Sequence, residues 1–180
     1  MKFRTVLAVF FFFIVMQVSA VSPLPHGYGK IELGMSVEQV KELLLKDSEF
    51  GYTGDRDVSL LPGENRVLIE TNAAGGHVLS FLDRCWFQFY NGKLFIVIIN
   101  MNRDRIDHYS IFSTLCKKYG NPVTLSPEKA VWQDGTVTMS LERPLSIKYI
   151  DRKMFEDLQD KSLVDQSAAE MTRDMFLEGL

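Results

Sequence analysis

Residues 84–101 constrain this chain more than any other stretch. Arg84-Cys-Trp-Phe-Gln-Phe-Tyr-Asn-Gly-Lys-Leu-Phe-Ile-Val-Ile-Ile-Asn-Met101 sets two apolar runs on either side of Asn91-Gly92. Asn and Gly both tolerate positive φ, so the pair suits a two-residue type I′ turn and predicts an antiparallel hairpin. Side chains alternate across a strand, which puts Cys85, Phe87 and Phe89 on one face and Trp86, Gln88 and Tyr90 on the other. Gln88 marks the second face as the solvent side. Leu94 to Ile99 is apolar on both faces, which predicts burial on both sides, or one side against a helix or a partner.

The chain has 180 residues and is 46% hydrophobic, which supports one domain with a real core and excludes general disorder. Residues 1–20 read as a secretory signal. Lys2 and Arg4 precede an apolar run, Val6 to Val18, and Val18-Ser19-Ala20 supplies small residues for cleavage. The run falls short of the about 20 apolar residues that a spanning helix needs. Ser22-Pro-Leu-Pro25 would end a helix at once. No later stretch is long enough to span a membrane. The expectation is an exported protein, periplasmic or secreted, without a membrane span after cleavage. Loss of Lys2 and Arg4 takes the formal charge from −3 to −5. That acidity argues against nucleic-acid binding and against attachment to an anionic membrane by charge alone.

Residues 21–30 are rich in Pro and Gly and read as a linker; 31–151 read as the domain and 152–180 as a helical extension. Ser36 and Gln39 form a capping box ahead of Val37, Val40, Leu43 and Leu44, which share one helical face. Residues 47–65 read as a long loop with an extended piece near Val58–Leu61, and loops of this length are often functional. Arg66–Thr71 reads as a strand, and His77–Leu82 as an extended approach to the hairpin. A second helix, capped by Asp104 or Asp107, carries Ile111, Phe112, Leu115, Cys116 and Tyr119 and stops at Gly120-Asn-Pro122. Strands at Ala130–Gln133, Thr136–Glu142 and Leu145–Ile150 follow, with Asp134-Gly135 expected to turn as Asn91-Gly92 does. In the extension, Val164, Ala168, Met171 and Met175 form a heptad-like stripe. It either folds back on the domain or binds a partner.

Leu94-Phe-Ile-Val-Ile-Ile-Asn100 matches Leu145-Ser-Ile-Lys-Tyr-Ile-Asp151 loosely, and each ends a helix-then-three-strands half. The implied fold class is α+β: two tandem α-β-β-β units forming one antiparallel sheet, two helices on one face, and a C-terminal helix. Leu33-Gly-Met-Ser-Val-Glu-Gln-Val40 resembles the opening of the BamE (SmpA/OmlA)-like envelope domains, whose fold relatives include the β-lactamase inhibitor proteins. Leu115-Cys-Lys-Lys-Tyr-Gly-Asn-Pro122 and Trp132-Gln-Asp-Gly135 are similar to the helix stop and hairpin of that class. The resemblance covers roughly residues 31–150. A lipid-attachment Cys after the signal is absent, and the 47–65 loop exceeds the minimal unit. The resemblance implies a periplasmic, non-enzymatic binding module of the cell envelope, with envelope proteins as partners. An exported enzyme inhibitor is the alternative, and a hydrolase the third reading.

No motif selects a catalytic residue, a metal site or a cofactor. His26, His77 and His108 are scattered, and Asp104/Asp107/His108 lacks metal-ligand spacing. Asp55, Asp57 and Glu64 share a loop without the calcium pattern. Candidate binding residues are Trp86, Gln88, Tyr90 and Trp132, because exposed aromatics mark interfaces, with Asp55 and Asp57 in the loop. Cys85 and Cys116 fall on faces that meet. They form a disulfide pinning the second helix to the sheet, or they are two buried thiols packing as small hydrophobes.

Overall fold

The computed structural model describes residues 22–62, 65–73 and 80–178, without the side chains of 163–170, 172, 174–176 and 178. The signal-like segment 1–20, Glu64, His77 and the side chains of the stripe residues Val164, Ala168 and Met175 lie outside what is described. The elements are β1 (Gly27–Tyr28), β2 (Ile31–Glu32), α1 (Val37–Lys46), β3 (Val58–Leu60), β4 (Arg66–Asn72), β5 (Leu82–Tyr90) and β6 (Lys93–Met101). After them come α2 (His108–Tyr119), β7 (Thr124–Leu125), β8 (Lys129–Gln133), β9 (Val137–Glu142), β10 (Ser146–Asp151) and α3 (Arg152–Glu178).

Local chemistry sets the first elements. The capping box forms in full: Gln39 N donates to Ser36 Oγ at 3.3 Å and Ser36 N donates to Gln39 Oε1 at 2.9 Å. Asp107, rather than Asp104, caps α2 by accepting from Ser110 N at 2.9 Å. Asn91 and Gly92 hold φ of 48° and 72°, so the central hairpin closes as its sequence requires. Gly34-Met35 docks beside it: Gly34 N donates to Leu94 O at 2.7 Å and Leu94 N to Met35 O at 2.8 Å. The Gly-Met-Ser motif therefore ties α1 to the start of β6.

The fold class is the expected one: α+β, with one large antiparallel sheet in the order β3-β4-β5-β6-β10-β9-β8-β7. The order is mirrored about its centre. The two strands matched in sequence, β6 and β10, stand side by side and antiparallel, with Asn100 opposite Ser146 and Ile96 opposite Ile150. Each half is a helix followed by four strands rather than three. The extra strands, β3 and β7, are the sheet's edges. Thr124-Leu125 is too short to show any periodicity in sequence.

One face of the sheet carries the core. Val40 and Leu44 from α1 and Ile111 and Leu115 from α2 pack over Ile69, Cys85, Phe87, Phe89, Val97, Ile99, Met139, Leu141 and Tyr149. Each such large side chain, fully buried, contributes about 1.5–3 kcal/mol.

Three expectations change. The 21–30 segment is folded onto the domain rather than a linker: β1 pairs β2, Leu24 and Tyr28 pack against the core, and Ser22 N donates to Lys118 O at 3.0 Å. The 47–65 loop is anchored. Its Phe50 is buried edge-on against Phe87 at 5.9 Å and Tyr28 at 6.1 Å. Asp134-Gly135 is not a turn of the Asn91-Gly92 kind. The central residues are Gly135-Thr136, and the Asp134 carboxylate holds them by accepting from Thr136 N at 2.7 Å and Val137 N at 2.8 Å.

Candidate functional site: the outer face of the sheet

Pairing registers place the second face residue by residue. Leu68 stands beside Gln88, Gln88 beside Ile96, and Ile96 beside Ile150. In the next row, Glu70, Trp86, Ile98, Lys148 and Ser140 follow one another across five strands. Trp86, Gln88, Tyr90, Ile96, Ile98 and Ile150 are all half-buried. A bulge between Gln88 and Phe89 accommodates one extra residue on β6, Phe95, which is buried yet stands apart from the main core cluster.

The outer face has three zones. At one end polar groups bond among themselves: Ser146 Oγ donates to Asn100 Oδ1 at 2.6 Å, and Lys148 pairs with Glu142 at 3.0 Å. Arg84 pairs with Glu70 at 3.3 Å and lies 6.0 Å from the Trp86 ring centroid. Burial would raise the Glu142 carboxyl, but hydrogen bonds from Lys148 and Ser140 outweigh it and hold the group below its ordinary range. The middle zone is apolar: Trp86, Ile96, Ile98 and Ile150.

At the other end α3 crosses the hairpin tip. Asp151 caps it by accepting from Met154 N at 3.0 Å. Arg152 ties its first turn to the β8–β9 turn by donating to Asp134 O at 2.7 Å. Lys161 sits 5.5 Å from the Tyr90 ring centroid. Between this part of α3 and the hairpin lies a groove of about 610 Å³, walled by Tyr90, Lys93, Thr136, Met154 and Leu158. The helical extension thus docks on the domain through Lys161. Beyond it, Met171 is exposed.

The other sequence candidates go elsewhere. Trp132 is not part of a binding surface. It lies on the core side of β8, 2% exposed, with its indole N–H donating to Gly120 O at 2.8 Å. The β8 register puts it beside Met139, and Phe112 packs on it at 6.1 Å. Asp55 and Asp57 brace their own loop. Asp55 pairs with Lys41 of α1 at 3.2 Å, and Asp57 accepts from Thr53 N at 2.6 Å and Thr53 Oγ1 at 2.9 Å. No disulfide joins Cys85 and Cys116: both thiols are free. Burial pushes the Cys85 thiol up to about 12, and it raises Cys116 as well. Thiols so shifted are poor nucleophiles. Among the described residues no three His, Cys, Asp or Glu side chains group as a metal site. No sequence signal marks Ile96 and Ile98 as surface residues, because β6 is apolar on both faces.

An open sheet with two helices on one face and a third helix crossing part of the other defines an α+β scaffold of repeated helix–sheet units. The chain belongs to the TP0088 domain family, whose model matches residues 26–161. The match ends at Lys161, the residue that meets Tyr90. Neither a curated protein nor a solved structure matches the chain. Among the described residues, no helix is long and apolar enough to cross a membrane.

Proposed function

We propose that this protein is an exported, non-enzymatic interaction module of the cell envelope that binds a protein partner through the outer face of its sheet. One observation carries the binding half of the reading. The face opposite the core keeps Trp86, Ile96, Ile98 and Ile150 only half-buried, with the described part of α3 meeting only one end of it. An apolar strip rimmed by ion pairs is the usual composition of a protein contact. The export half rests on the signal-like segment 1–20, and the envelope setting on the resemblance to BamE-like domains. The inhibitor reading has less support. The 47–65 loop, which would have to enter an enzyme cleft, is held to its own domain by Phe50 and by Asp55 against Lys41 of α1.

Two measurements test the two halves. Alkaline phosphatase, which folds only after export, is fused behind residues 1–30; an inactive fusion overturns export. A photo-crosslinking amino acid is placed at 86 or 98 in living cells. A discrete envelope-protein adduct from both positions supports the reading, and absence of any adduct overturns it.

A further inference from the structure

The helix layer does not close over the sheet at its β7 edge. Leu125 is paired with Ala130 and so faces the helix side, yet it is 65% exposed. Across from it, the first turns of α2 present Tyr109, 76% exposed, and Phe112. The slot between them has a volume of about 730 Å³ and is lined also by His108, Pro127, Lys129 and Arg143. Its size is within the roughly 300–1,000 Å³ range of ligand clefts. Its cation is Arg143, which faces one carboxylate. That carboxylate, Asp107, is already taken up by the N–H and hydroxyl of Ser110. Arg143 donates its Nε to Pro127 O at 2.9 Å, which fixes the guanidinium, and it makes no ion pair with a described residue. Burial and the Arg143 cation both favour the neutral form of the His108 ring.

We propose that this slot is a second docking site, for an extended peptide segment that carries an acidic residue next to a large apolar one. The segment lies along the β7 edge, its apolar side chain seats among Tyr109, Phe112 and Leu125, and its carboxylate pairs with Arg143. An edge strand offers main-chain hydrogen bonds to such a segment, and side-chain pockets give it specificity. The two terminal guanidinium nitrogens of Arg143 suit a bidentate carboxylate contact. The slot is on the helix side of the sheet, so the proposal does not depend on the outer-face reading.

The test is selection of a random peptide phage library against the full chain, followed by anisotropy titration of the enriched peptides. Enriched sequences are expected to pair Asp or Glu with Phe, Leu, Ile, Val, Trp or Tyr. Their affinity should fall at least tenfold in Tyr109→Ala and in Arg143→Glu, and fall as salt rises. Leu60→Asp, on the opposite edge strand, should leave it unchanged. Tyr109 is well exposed, so its replacement separates lost binding from lost folding. No enrichment, enrichment without an acidic residue, or affinity unchanged in both slot variants overturns the proposal. So does self-association of the free chain that Tyr109→Ala abolishes, or dodecanoate that fills the slot while no peptide competes with it.

Discussion

The two faces of one sheet behave differently although both are rich in aromatic and branched residues. On the inner face every large side chain of β5 (Cys85, Phe87, Phe89) is fully buried beneath α1, α2 and the 47–65 loop. On the outer face their immediate neighbours Trp86, Gln88 and Tyr90 are half-buried and held by single contacts: a guanidinium over Trp86, an ammonium over Tyr90. The inner face shows what two amphipathic helices can close. The outer face shows what is left when the third helix starts at the end of the last strand and its described side chains, up to Lys161, meet the hairpin tip.

The largest expected effect tests that contrast directly. Phe87→Ala should cost about 3–5 kcal/mol in denaturant unfolding, as buried aromatic truncations do. Trp86→Ala should cost less than about 1 kcal/mol, in line with substitutions outside the core. It should nonetheless abolish crosslinking through the outer face. Equal costs would mean that the outer face is a second core. Next comes Trp132, which sequence placed on the surface. Trp132→Phe keeps an aromatic side chain but removes the indole N–H from Gly120 O and part of the packed ring system, and should cost at least about 1–2 kcal/mol. A neutral result would return Trp132 to the surface candidates. Smaller again is the α3 contact. A double-mutant cycle of Tyr90→Leu and Lys161→Ala should give a coupling of about 0.5–1 kcal/mol. Zero coupling would mean that the Lys161–Tyr90 contact does not hold α3.

The smallest effect is in acid. Glu142 is depressed in the folded state, so its contribution is present above the unfolded carboxyl value of about 4.3 and is lost as pH falls through the lower folded value. Thermal melts of Glu142→Gln against the parent should therefore differ at pH 7 and converge in acid, once the pH has fallen through the folded value. A constant difference across that window would mean that the Lys148–Glu142 pair on the outer face does not stabilise the fold.

Much of the fold is legible without coordinates because its signals are local. Ser36 with Gln39, Asn91-Gly92 and Gly120 each act within one turn of chain and stand where the sequence puts them, and of the two caps it offers α2, Asp107 is the one used. Alternation alone assigns Phe87 inward and Trp86 outward. Periodicity runs out where two faces look alike or where an element is too short. Ile96 and Ile98 could not be assigned a face from an all-apolar strand, and β7 has two residues.

The candidate site is legible in part. Trp86, Gln88 and Tyr90 are where alternation places them. Asp55 and Asp57 look available in sequence and are spent on Lys41 and Thr53, because a loop's internal bonds depend on how it closes in space. Cys85 and Cys116 lie on converging faces, yet a disulfide needs its two Cα atoms within about 7 Å, a distance no spacing along the chain specifies.

By itself, then, the sequence determined the capping box of α1, the central hairpin, its inward and outward faces and the likeness of two halves. These follow from backbone conformation and side-chain period. Only the tertiary structure decided that β6 and β10 adjoin at the centre, that Trp132 is core, and that α3 closes one end of the outer face but leaves Trp86 half-open. Those outcomes depend on where long-range packing brings surfaces together, and burial is a property of neighbours distant in the chain.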